Sequence, residues 1–404
     1  MPEDTQDNDN PKTPNRKKKR VWLAIIVVLT LIIVCFLRSL PNSKSADERL
    51  AAIEAARAIP DSENAAVVYN QMLEDPNAAV PIDPRPEFLD DESFSRITQE
   101  PWLSKDYPEL AAWIEARQDT IERLFEACGF EKCRFPIVID PRQSQSDRFI
   151  AMRKWAYLLR FAANNDIAEG RTEDAIAKWR CLLRMGDHLR QQPSQMDHSM
   201  AFMIDSIALQ QSAAYIVEGN AIDMRLRQME SIRLDTKDDW ADHAERIRIV
   251  QDLTVQRLKE QFGPIEHVKY LFNYGMYGMA KPADLEGLHK IHLRHIASKR
   301  GIHILIALRR YKNKHGAWPK TLDEIKSLAP PEVFVDPISG DSFVYKVADD
   351  TFRLYSKGKN KIDEHGQLNV TIDPNTYEFI GHEDDIRFWP QKTPEKKEDS
   401  TDDK

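Results

Sequence analysis

Apolar residues follow three different patterns along this chain, and each pattern predicts a different kind of segment. Between residues 21 and 37 they are continuous and uncharged, which is typical of a membrane span. From residue 46 to about 285 they recur every three or four positions, as in amphipathic helices. Beyond residue 340 they alternate with polar residues, as in strands. The predicted fold class is mainly α, with a small α+β module at the end.

A single transmembrane helix is predicted over residues 21–40. At about 1.5 Å per residue the uncharged residues 21–37 reach roughly 26 Å, slightly under the thickness of a bilayer's hydrocarbon core. Extension to Leu40 closes the gap if Arg38 directs its charge to the headgroups. The basic run RKKKR at residues 16–20 precedes it, so the positive-inside rule places residues 1–20 in the cytoplasm as a disordered basic tail. A cleaved signal peptide is the alternative, but the apolar core is long and no A-x-A-like site follows. We therefore expect a single-pass protein of the inner (cytoplasmic) membrane with a periplasmic, extracytoplasmic bulk.

Residues 46–285 are predicted to form an extracytoplasmic helical domain, either a bundle or an irregular solenoid. Its clearest part is residues 149–219, where two apolar stripes flank a turn at Gly170. This helical hairpin resembles a single tetratricopeptide-like unit. No repeat of about 34 residues follows it, so we do not expect a repeat array. A long helix is predicted over residues 238–262, with Gly263 and Pro264 ending it.

Residues 290–388 carry an ordered set of motifs. A predicted helix ends in the motif Y-x-x-x-x-G-x-x-P at residues 311–319, and a short helix follows. A D-P-x-x-G turn at residues 336–340 leads into a hairpin, and L-Y-S-x-G at residues 354–358 ends it. From about residue 305 onward this order resembles the globular part of the major pseudopilin of type II secretion systems. The resemblance implies a pseudopilin-like α+β fold for this module.

Two departures separate the chain from a pseudopilin. The apolar segment lacks the family's Gly-Phe-type processing site and the Glu that begins its hydrophobic helix. In addition, residues 41–289 stand between that segment and the module, whereas a pseudopilin joins the two directly. We therefore expect a pseudopilin-like fold displayed at the membrane surface and not extracted into a fibre. Residues 389–404 are predicted to be a disordered charged tail.

The resemblance also implies a calcium site in the loop that follows the hairpin. The positions that match are Asn360, Asp363, Asp384 and Asp385. Their oxygen atoms are hard ligands of the kind that calcium takes. A solvated acidic loop without metal is the alternative for the same residues.

Cysteine and histidine positions mark two further local features. Cys128 and Cys133 are predicted either to form a local disulfide, which an exported compartment permits, or to remain free thiols. His289, His292 and His295 recur every three residues at the start of a helix. No Cys pair or HExxH pattern accompanies them, so we expect a solvated helix face and no metal site.

The net charge and the absence of known catalytic and nucleotide-binding motifs narrow the classes of function that we expect. The net charge of −8, with no basic, aromatic-interleaved patch beyond the N-terminus, argues against a nucleic-acid partner. The sequence contains no G-x-S-x-G, P-loop or G-x-G-x-x-G motif. We expect a non-enzymatic scaffold or interaction protein of a bacterial envelope, linked to secretion or pilus-like assembly, with the lipid bilayer and envelope proteins as partners. An envelope hydrolase using scattered carboxylates and a small-molecule-binding sensor are the alternatives.

Overall fold

The computed structural model describes most of the chain from residue 44 to residue 390. The described residues are 44–74, 85–140, 143, 145–219, 221–230, 237–275, 285–348, 350–366, 371–372, 379–380 and 385–390. The predicted tail at residues 1–20, the predicted transmembrane helix at residues 21–40 and the end of the chain from residue 391 lie outside these ranges.

The described part is mainly helical, which confirms the predicted fold class at this level. Its α-helices are α1 Ala46–Ala56, α2 Ala65–Glu74, α3 Asp91–Gln99, α4 Pro108–Glu115, α5 Gln118–Gly129, α6 Ser146–Ala168, α7 Thr172–Arg190, α8 Gln195–Glu218, α9 Asp223–Glu230, α10 Trp240–Gly275 and α11 Leu285–His315. Short 3-10 helices occur at Asp61–Glu63, Leu322–Leu328 and Pro331–Phe334.

Local sequence sets several of these helix boundaries. Ser45 and Glu48 form a capping box at the start of α1, each side chain accepting the other's backbone N–H. Gly170 takes a positive φ of 79° between α6 and α7, which favours glycine and produces the predicted helical hairpin. The prediction that Pro264 ends the long helix was wrong, because α10 continues to Gly275. A proline removes one helical hydrogen bond, but tertiary context can carry a helix past it.

Helix α8 is the centre of the bundle and packs along α6, α7 and α11. Within the described residues it is the single helix that is long and apolar enough to cross a membrane. Of its most apolar window, 56% is buried inside the protein. It also places the carboxylates of Asp197 and Asp205 in the interior. In this structure α8 therefore serves as the core helix of the bundle.

The C-terminal module contains a three-stranded antiparallel sheet in the order β1–β2–β5. The strands are β1 Val344–Ala348, β2 Thr351–Ser356 and β5 Ile386–Trp389, and a separate pair is formed by β3 Thr371–Ile372 and β4 Phe379–Ile380. The pairing of Val347 with Phe352 confirms the predicted hairpin. Trp389, which the sequence assigned to a disordered tail, instead ends β5 and is buried.

The bundle and the module share one apolar core. One cluster of buried apolar residues includes α2, α5 to α9, the second half of α11 and the module as far as Trp389, whereas residues of α3, α4 and α10 belong to smaller separate clusters. From α11, Arg309 donates to the backbone carbonyls of Ile216 and Val217 at the end of α8. The same guanidinium lies 5.0 Å from the ring centre of Trp318 in the module. Arg309 of α11 therefore contacts both the end of α8 and Trp318.

Candidate functional site

A polar cavity of about 260 Å³ lies between α7, α10 and α11, with α8 behind it. Its basic lining residues are Arg190, Lys237, Arg246 and Lys299. Its imidazoles are His243, His292 and His295, and its carboxylates are Asp187 and Asp239. Charged and imidazole side chains are rarely collected inside a small helical protein without a specific reason. This cavity is therefore the candidate functional site.

Asp205 of α8 is the charged group behind the cavity wall, and its side chain is fully buried. Its Oδ2 atom accepts a hydrogen bond from Nη1 of Arg190 at 2.5 Å and lies 2.9 Å from Nε2 of His295. Burial opposes the negative charge, but Arg190 and then His295 outweigh it and lower the pKa of Asp205 to about 2. Asp205 is thus held as a carboxylate in the protein interior.

His292 and His295 are buried, so the predicted solvated face of α11 was wrong. They are 9% and 5% exposed, because α8 and α10 cover this side of the helix. His289 also has a covering residue, since its ring stacks on Trp240 of α10 with 5.2 Å between ring centres. The spacing of three was visible in the sequence, but the helix that packs over it was not.

Three buried imidazoles of this region, those of His198, His292 and His295, have lowered pKa values and are neutral at ordinary pH. Burial lowers the pKa of His295 to about 3, and Lys299 adds to the effect. Burial, followed by the neighbouring His243, lowers the pKa of His198 to about 3 as well. Burial also lowers the pKa of His292, against the pull of Asp239 and Asp238. Each of these rings therefore has one N–H donor and one acceptor nitrogen.

Several buried polar atoms of this region have no partner among the described residues. They are Nε of Arg246, Nε2 of His198, Nε2 of His289 and Nδ1 of His295, together with Oδ1 of Asp205, which packs against Gly186. Roughly 90% or more of buried polar groups in proteins are hydrogen-bonded. Their concentration here marks a position where water or a small ligand would complete the bonding.

A second, larger cavity of about 500 Å³ lies between α4, α5, α6 and α7. Its central carboxylate, Asp166, accepts from Arg171 at 2.9 Å and from Lys178 at 2.6 Å. Asn165 beside it donates to Ser104 and to a backbone carbonyl. These polar groups satisfy one another, so this cavity offers a ligand fewer open contacts than the first.

The predicted calcium ligands are placed partly together. Asn360 and Asp363 lie in the loop after β2 and Asp385 lies just before β5, whereas Asp384 is outside the described residues. Asp363 accepts from Nζ of Lys346 at 2.7 Å and from the hydroxyl of Tyr355 at 2.6 Å.

The other two described residues are partly engaged, and Oδ1 of Asp385 is buried without a hydrogen-bond partner among the described residues. Oδ1 of Asn360 accepts the N–H of Ile362, and Oδ2 of Asp385 accepts the N–H groups of Glu364 and Gly366. Across the described residues, no three His, Cys, Asp or Glu side chains are arranged to hold a metal ion. Calcium would have to displace Lys346 from Asp363, and its binding here stays a prediction.

The three described cysteines are free thiols, so the Cys128–Cys133 disulfide is not formed in this structure. The Sγ atom of Cys128 instead lies 3.3 Å from the backbone oxygen of Cys181, across the α5–α7 contact. Cys133 is buried in the core, where its own N–H donates to Gln191. The structure therefore shows the second of the two states that the sequence allowed.

The sequence did not identify Arg190, Asp205 and Arg246 as site residues. One signal was present, since His198 and Asp205 are seven residues apart and fall on one face of a helix rich in apolar residues. Polar groups on the buried stripe of a helix require partners on neighbouring helices. Which helices supply them depends on the tertiary packing, which one sequence does not reveal.

Comparison of the chain with protein-family models, curated proteins and solved structures gave no match.

Proposed function

We propose that this protein is a single-pass envelope protein whose extracytoplasmic body is a non-enzymatic scaffold for protein contacts. The anchor is proposed from the uncharged stretch at residues 21–37 and its basic flank. The observation that carries the scaffold proposal is the common core of bundle and module along α11. A module built into the bundle keeps a constant position relative to it, which suits a protein that presents a surface to partners.

The contacts around Trp318 support a fixed position of the sheet relative to α11. Its indole Nε1 donates to the backbone oxygen of Asp350 at 2.9 Å, and its ring packs on Phe352 of β2. Lys312 of α11 lies over the same ring, with Nζ 4.4 Å from its centre. Trp318 thus packs between α11 and the β1–β2 hairpin. These contacts hold the sheet in a constant position relative to α11.

The module exposes several large apolar side chains to which a partner could bind. They are Leu328, Val335, Val347 and Ile362. Single exposed apolar residues are common on proteins, so these positions are useful mainly as places to test contact. The proposed link to secretion or pilus-like assembly rests on the motif resemblance in residues 305–388.

Crosslinking and affinity capture of the full-length chain from membranes test the proposal. We expect a reproducible set of envelope proteins that is absent from a mock capture. The double variant Val347→Asp and Ile362→Asp should reduce the captured amount of these proteins at least tenfold. The matched pair Ile222→Asp and Met224→Asp, equally exposed but before and within α9, should leave capture unchanged. Extraction of the chain by carbonate without detergent would contradict the anchor, and an empty capture would contradict the scaffold.

A further inference from the structure

We infer that the cavity between α7, α10 and α11 binds a small oxyanion, a phosphate or carboxylate group, with Arg246 as its main binding residue. This inference does not depend on the scaffold proposal. It rests on the unpaired Nε of Arg246, on the engagement of the acids near the cavity, and on the cavity's charge and size.

Arg246 keeps one unpaired donor within the described residues. Its Nε is buried without a hydrogen-bond partner there. Its Nη2 donates to Nδ1 of His243. Arg190, in contrast, is neutralised by Asp205 and Asp187. A partly buried guanidinium without a carboxylate is costly, and an oxyanion is the group whose geometry matches it best.

Two imidazoles, those of His292 and His295, line the same cavity. His295 is 5% exposed; its Nε2 lies 2.9 Å from Oδ2 of Asp205, and its Nδ1 makes no hydrogen bond within the described residues. Nε2 of His292 lies 3.2 Å from Oδ1 of Asp238. A neutral imidazole whose N–H faces a carboxylate keeps an acceptor nitrogen, to which a hydroxyl of hydrogen phosphate can donate. The imidazoles therefore add polar contacts, and Arg246 carries the recognition of the anion.

The acids near the cavity are already engaged, so they do not neutralise Arg246. Asp187 accepts from Arg190, and Asp239 accepts from His243 at 3.0 Å. Asp238 accepts the N–H of Trp240, and its Oδ1 lies 3.2 Å from His292 at the mouth. Each carboxylate near the cavity thus has a partner other than Arg246.

Charge and size define the ligand further. Four basic and two acidic side chains line the cavity, while Asp205 lies behind its wall and is neutralised by Arg190. A volume of about 260 Å³ is below the roughly 300–1,000 Å³ of drug-sized sites. The cavity therefore favours an anion of a few heavy atoms over a larger metabolite.

Isothermal titration and thermal unfolding of the full-length protein in detergent test the inference. The probes are inorganic phosphate, acetate and succinate, each against chloride at equal ionic strength. We expect saturable heat and a concentration-dependent rise in Tm with at least one of them. Arg246→Gln should weaken binding at least tenfold. Arg248→Gln, an exposed position on the same helix, should leave binding unchanged.

The response pattern assigns the ligand class. A response to phosphate alone indicates a phosphoryl group, a response to acetate or succinate alone indicates a carboxylate, and a response to both supports the shared oxyanion chemistry. No saturable response to any probe, or equal binding by wild type and Arg246→Gln, would overturn the inference. If Arg246→Gln unfolds below 30 °C, Lys237→Gln at the exposed rim replaces it, and a loss of severalfold in affinity is then expected.

Discussion

Gly186 of α7 lies directly against the carboxylate of Asp205 on α8. A Cβ atom at position 186 would stand 1.9 Å from Oδ1 of Asp205, far inside any real contact distance. The two helices therefore approach each other here only because residue 186 has no side chain, and the close approach fixes the buried carboxylate beside Arg190 and His295.

Gly186→Ala should destabilise the protein by about 1–3 kcal/mol, because α7 and α8 must separate or Asp205 must leave its position. Urea unfolding followed by circular dichroism measures the change. Gly129→Ala is the matched control, since a Cβ there would meet no described atom within 4 Å. An equal loss of stability in both variants would show that the Gly186–Asp205 contact is not the cause.

Asp205→Asn should cost about 3–5 kcal/mol of unfolding free energy, the usual penalty for removing one partner of a buried ion pair. Arg190 would then remain buried with Asp187 as its one carboxylate partner. Asp187→Asn at the partly exposed end of the same network should cost less than about 1 kcal/mol. The same urea titration compares the two, and a reversed order would contradict the placement of Asp205 as the central charge.

Stability should fall as the pH is lowered from about 6.5 toward 4. Burial lowers the pKa of His188 to about 4, and the pKa values of His198 and His295 to about 3. Between these values and the unfolded value of about 6.5, the unfolded chain binds more protons, so acid favours unfolding. Each histidine can contribute up to about 1.4 kcal/mol per pH unit. Asp205, with its lowered pKa of about 2, keeps its contribution above about pH 4 and does not affect this range.

Urea unfolding at pH 8, 7, 6 and 5 measures this dependence. His295→Gln should reduce the slope by about a quarter to a third, since it removes one of four histidines whose lowered pKa values act with the same sign. His315→Gln, at an exposed position near the end of α11, should leave the slope unchanged. A stability that is constant from pH 7 to pH 5 would contradict the burial of these rings.

The described cysteines should all react as thiols once the protein is unfolded without reductant. Alkylation followed by peptide mass analysis should label Cys128, Cys133 and Cys181. In the folded protein Cys128 should react first, because Cys133 and Cys181 are buried and burial raises the pKa of both thiols. A peptide pair that joins Cys128 to Cys133 would show that the disulfide forms after all.

Local patterns in the sequence predicted the parts of the fold that depend on neighbouring residues. The α6–α7 hairpin followed from apolar spacing around Gly170, and the β1–β2 hairpin followed from alternation on either side of residues 348–350. The pairing of β5 with β2 depends on contacts distant in sequence and was missed, as was the extension of α10 past Pro264. The same holds for the cavity, where Arg246 and His295 are separated by a long stretch of chain and meet only in the packed helices.

Helix α11 fixes the rotation of the module about the helix axis as well as its distance from the bundle. His295 lies at the cavity and Leu308 lies in the shared core. An α-helix advances about 100° and 1.5 Å per residue, so one inserted residue between them would turn the sheet by more than a quarter of a circle relative to the cavity. An insertion of seven residues, about two complete turns, would restore the rotation to within about 20° but would still move the sheet by about 10 Å along the helix axis. The length of α11 between His295 and Leu308 therefore sets both quantities together.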